Sequence, residues 1–140
     1  METFNEFDFD ELKQKVRHLE EKSEKQEYHI QCLKRALMVT PEERALDLLI
    51  VGYNWSKDDL SKVEDIFEDF NKKKNWTAGD FESEFKNKMG INYQNLKSII
   101  IAFYESKKWT FVCVNYVKST GSHPSAEYND IVKDIEKNGW

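Results

Sequence analysis

The chain has 140 residues, 39% of them hydrophobic, 14% aromatic and 34% charged, with a formal net charge of −5. That is the length of one domain, too rich in rings for a disordered segment and too acidic for a non-specific nucleic-acid binder, which runs on a basic excess. No apolar run approaches the roughly 20 residues that a helix needs to cross a bilayer.

The acidic start, residues 1–8, is expected to be flexible. It lacks the basic and apolar regions of a secretion signal, so a cytoplasmic location is expected. Its two rings, Phe4 and Phe7, are candidate partner-facing groups in an otherwise polar stretch. A heptad pattern then runs over residues 9–38. Phe9, Val16, Ser23, Ile30 and Leu37 fall at a, and Leu12, Leu19, Gln26 and Leu33 at d. Strict alternation of three and four is the signature of a left-handed supercoil, and no Gly or Pro precedes Pro41 to break the helix. Leu12, Val16, Leu19, Ile30, Leu33 and Leu37 are therefore the candidate self-association residues, interrupted by one polar step at Ser23 and Gln26. In a parallel in-register pair the g residues Lys15 and Lys22 meet Glu20 and Glu27 of the partner, whereas His29 would meet Lys34. Two attractive pairs favour a parallel arrangement. Val and Ile at a with Leu at d favour two strands, and the polar step leaves three open.

Residues 41–118 read as a helical domain. Thr40, Pro41 and Glu43 form a helix start with a capping box, and the apolar run to Val51 predicts a central buried helix stopped by Gly52. Ser56 with Asp59 opens a third helix carrying Leu60, Val63, Ile66, Phe67 and Phe70 on one face. Thr77 with Asp80 opens a fourth, spaced Phe81, Phe85, Met89 and ended by Gly90, and Asn92 caps a fifth with Leu96, Ile99, Ile100 and Phe103. Trp55 and Trp76 each precede a cap residue, where a ring can staple the first turn. Trp109–Val117 is strand-like by propensity, yet a short apolar run fits a buried helix equally well. A loop with Gly121 and Pro124 follows, then a last helix from about Ser125. Trp140, at its end, is the third candidate partner-facing group.

Little in the chain carries reactive chemistry. His18 and His29 lie about 16 Å apart on one helix, too far to share a metal. Two cysteines, Cys32 and Cys113, cannot build a disulfide scaffold or a four-ligand zinc site. Cys113 would need His123 as a base but sits in the most apolar run of the chain. The carboxylates Asp58, Asp59, Asp65, Glu68 and Asp69 on the third helix could hold a hard cation, which would admit a metal-dependent enzyme, but such a cluster is more commonly a solvated acidic face or one that meets a basic partner. No phosphate-cradling glycine loop occurs, and nothing calls for a cofactor.

Residues 77–117 also admit a helix-turn-helix regulator. Tyr93, Gln94, Asn95, Lys97 and Ser98 would reach a groove, and Trp109–Val117 would form a wing. Arginine, the commonest specific base reader, is absent after Arg44, so nucleic acid is disfavoured.

Glu27 to Leu33 in the heptad helix, Ala45 to Ile50, Trp55 to Asp59 and Ile99 to Glu105 follow one another in an order that resembles the YhaI-like family of small helical proteins from Bacillus and relatives. The resemblance covers roughly residues 16–118. It implies an all-α fold with a protruding N-terminal helix that associates with its copies, and it would make Trp109–Val117 helical. That family has no assigned activity, so no functional residue carries over. The expectation is thus an all-α, non-enzymatic protein joined to itself by a coiled coil, whose bundle of five to six short helices grips an unidentified protein.

Overall fold

The computed structural model describes residues 6–121 and 126–140, and the side chains of residues 9–41, 43–121 and 126–140. The fold is all-α, with no strand among the described residues. The elements are α1 (Glu6–Met38), α2 (Pro41–Gly52), α3 (Lys57–Lys72), α4 (Ala78–Met89), α5 (Tyr93–Glu105), α6 (Thr110–Ser119) and α7 (Asn129–Asn138), the last entered through a single 3-10 turn at Ala126–Tyr128.

The helix starts follow local chemistry. Thr40, Ser56 and Thr77 each accept the N3 amide while Glu43, Asp59 and Asp80 reach back to the cap amide, three complete capping boxes. Asn92 accepts from the Asn95 amide in the same way. The staple at α4 is formed: Trp76 stacks on Phe81 at 5.6 Å and 29°. Gly90 closes α4 in the left-handed conformation that favours glycine. Gly52 does not play that part. It is the last residue of α2, and the positive φ of the following turn, 57°, falls on Asn54.

Packing corrects one expectation and decides one choice that the sequence leaves open. α2 is not the central helix. It lies between α1 and α5, and Leu48 on its outer side is 48% exposed. The run Trp109–Val117, strand-like by propensity, is helix α6. Val112, Cys113, Val114, Tyr116 and Val117 are all nearly inaccessible, because α6 is contacted by α3, α4, α5 and α7. Only a narrow strip of α6 stays exposed, at Phe111, Asn115, Lys118 and Ser119, and an apolar ring stands at its start, so the helical period is faint in the composition.

The core is organised on Phe67, which is fully buried. Its ring stacks on Phe103 at 4.5 Å and meets Phe81 and Phe85 edge-on at 5.2 and 5.9 Å. Offset-stacked and edge-on rings are the favoured aromatic geometries, and here they join α3, α4 and α5.

Candidate functional site

α1 is 33 residues long, about 50 Å at 1.5 Å per residue. Over residues 9–24 every side chain is exposed. From Lys25 onward one face closes on the body: Lys25, Tyr28 and His29 are half-buried and Cys32 and Ala36 buried, with relative exposures of 0% and 4% for the last two. These positions are c, f and g of the heptad. They lie roughly 140° around the helix from the a/d stripe. The body therefore takes one side of α1 and leaves the stripe open on another.

All six candidate self-association residues stand on that open side. Leu12, Val16, Leu19, Ile30, Leu33 and Leu37 are 44, 52, 62, 47, 42 and 84% exposed. A large apolar row left in water along one helix is a surface that hydrophobic burial acts to cover. The row runs along both the free part of the stalk and the part held by the body.

The hold on the body is specific. Arg35 forks onto the buried Asp47 of α2, with Nε at 3.1 and 3.0 Å from the two carboxylate oxygens and a second guanidinium nitrogen at 2.5 Å. That bond holds the Arg35 proton more firmly than usual. Cys32 and Tyr28 pack beside the pair. Burial raises both, and Tyr28 reaches about 12, pushed further by its contact with Cys32. One turn earlier, His29 donates from Nε2 to the Trp55 carbonyl at 2.7 Å. Tyr28, Cys32 and Ala36, spaced by four, were a second apolar line in the sequence. The polar residues between them, His29 and Arg35, conceal it because they too serve this interface.

Trp140 lies at the rim of a groove of about 370 Å³ between α5, the start of α6 and α7. Ile101 and Ile131 form its apolar base, and the Tyr104 hydroxyl donates to Asp134 in its wall. Burial first, then this carboxylate, raises Tyr104 well above the usual phenol range. Glu105, Glu127, Asp130 and Asp134 line the groove against a single lysine, Lys107. Glu127 also pairs with Lys97 at 3.0 Å. Trp140 meets Phe111 edge-on at 5.5 Å, so the ring is held rather than dangling. Phe4 lies outside the described residues, and Phe7 is within α1 but its side chain is not among those described. A second, larger cleft lies where α1 leaves the body, between Tyr28 and Lys57. Its walls are largely polar side chains with charges of both signs, an angle between stalk and body rather than a built site.

The other candidate chemistry is dispersed. Cys113 is fully buried, and burial drives its thiol far above the usual range, so it holds its proton at neutral pH. His123 lies outside the described residues. On α3, Asp59 is spent on the cap and Glu68 pairs with Lys72 at 3.2 Å. Among the described residues no three His, Cys, Asp or Glu side chains are grouped to hold a metal. The helix-turn-helix reading keeps α4, the Gly90 turn and the exposed Tyr93, Gln94 and Asn95, but the segment assigned to its wing is the buried helix α6. No described helix is long and apolar enough to cross a membrane.

Compared with family models, curated proteins and solved structures, the chain has no match.

Proposed function

We propose that the chain is a non-enzymatic, cytoplasmic interaction protein that joins copies of itself through α1 and presents its helical body to another protein, as an adaptor or inhibitor. The observation that carries the reading is the open a/d row. Six large apolar side chains, each at least 42% exposed, line the side of α1 that its own body leaves uncovered. A lone chain keeps that row in water, whereas a second copy buries it by the same knobs-into-holes packing on both strands. Light scattering coupled to gel filtration tests it. The expected mass is a small multiple of 16.7 kDa at micromolar concentration, and a single-chain mass there overturns it.

The groove at Trp140 is the surface the body offers a partner. Even with Glu127 paired to Lys97, the carboxylates outnumber the lysines here, and with an aromatic wall and an apolar base they suit a basic side chain whose stem is apolar and whose head is cationic. An oligoarginine peptide at moderate salt should shift the amide resonances of Asp130, Asp134 and Trp140 before those of α3. Shifts spread evenly over all acidic surfaces would sink this assignment and leave the self-association untouched.

A further inference from the structure

We infer that the occupant of the open row is a second copy running parallel and in register, so that both helical bodies hang from the same end of the stalk. The inference deepens the self-association proposed above and rests on it.

The polar step supplies the first argument. In a parallel in-register pair, Ser23 meets Ser23 and Gln26 meets Gln26, and each polar group faces its own kind. Polar residues at core positions are the usual pins of coiled-coil register. Sliding one strand by a heptad faces Ser23 with Ile30 or Val16 and Gln26 with Leu33 or Leu19, which buries each polar group against a hydrocarbon.

The flanking charges supply the second. An antiparallel pair that keeps its polar step together sets Ser23 opposite Gln26, Leu12 opposite Leu37, and Leu19 opposite Ile30. It then brings Lys13 against Lys34 and Glu20 against Glu27, like charges at both e–e pairs. Its g–g pairs, Lys15 with Ala36 and Lys22 with His29, gain nothing. An antiparallel slide by one heptad restores an opposite pair only by facing Ser23 and Gln26 with apolar residues and shortening the overlap. The parallel pair instead joins Lys15 to Glu20 and Lys22 to Glu27. All four of these side chains are exposed, and among the described residues Lys15 holds a long contact, 3.8 Å, to Glu11 of its own helix.

The structure removes the one unfavourable match in that arrangement. His29 would face Lys34 of the second copy, but its ring is turned into its own body, where it donates to the Trp55 carbonyl. The g position is withdrawn from the interface at the level where its charge partner would be wrong. The body lies on the c/f/g side of α1, so two bodies at one end sit on the outer flanks and leave the row clear.

Cysteine cross-linking tests the orientation. The native Cys32 and Cys113 are fully buried and do not compete. Under mild oxidation Leu12→Cys and Leu33→Cys should each form a disulfide-linked dimer on their own, and a mixture of Leu12→Cys with Leu37→Cys should give no mixed species. Linkage in that mixture, with Leu12→Cys alone inert, overturns the proposal. A charge reversal reads the same question by another route. Glu20→Lys places two lysines together in the parallel pair but makes an attractive Lys–Glu pair in the antiparallel one. Dimer dissociation should therefore rise roughly three- to tenfold, and tightening overturns the parallel arrangement. A single-chain mass for the unsubstituted protein removes self-association itself, an outcome distinct from a dimer of the wrong polarity.

Discussion

The doubly substituted chain Leu19→Asp/Ile30→Asp should sediment as single subunits where the unsubstituted chain is oligomeric, with an unchanged denaturation midpoint for the body. Both side chains are about half exposed in the lone chain, at 62% and 47%, so association gains roughly half of the 1.5–3 kcal/mol that fully burying such a residue is worth. Two positions on each of two strands then lose about 3–6 kcal/mol, or two to four decades in the dissociation constant, before the cost of burying the new carboxylates is counted. Equilibrium sedimentation measures the first effect. Urea unfolding followed by tryptophan emission serves as the control, since Trp55, Trp76, Trp109 and Trp140 all lie in the body. An unchanged mass would show that the row is not the interface, and a collapsed midpoint would show that α1 is held by this face after all.

Phe67→Ala should remove about 3–5 kcal/mol of stability, the largest loss expected from one substitution in the body. The ring is fully buried between Phe103, Phe81 and Phe85, which belong to two other helices. Alanine leaves a void whose walls are fixed by separate elements, so collapse cannot fill it without moving a helix. Domains of this size hold only about 5–15 kcal/mol in all, so the variant should sit near its unfolding threshold. Phe111, 59% exposed, is the contrast: its replacement by alanine should cost below about 1 kcal/mol. A urea midpoint for Phe67→Ala that matches the Phe111→Ala value would refute the placement of the core.

What could be read from the chain divides along local and non-local lines. Thr40, Ser56, Thr77 and Asn92 announce their helices because the cap and its reciprocal acid stand within three residues of each other. The heptad letters are equally local, and the open row on α1 follows them. Strand and helix stayed open for Trp109–Val117, because the exposed strip of α6 is narrow and sets Phe111 beside Asn115 and Lys118, which blurs the alternation of apolar and polar residues. The central placement expected for α2 failed for a related reason. An apolar run announces burial somewhere without saying how much of it neighbours will cover, and Leu48 is left outside. The groove at Trp140 brings together Ile101, Tyr104, Asp134 and Trp140, which only tertiary packing makes neighbours. The fork of Arg35 on Asp47 joins positions twelve apart across a turn, and neither residue stands out in its own helix.

Residues 9–24 of α1 draw no burial from the body. A lone stalk is thus maintained chiefly by its own backbone ladder, and isolated helices of about 12–15 residues are marginal in water. Under the proposed pairing that weakness would be relieved, and forming the helix and finding a copy would become one equilibrium under mass action. The supply of subunits would then set how much ordered stalk exists, and a drop in abundance would loosen the stalk while leaving the aromatic core intact.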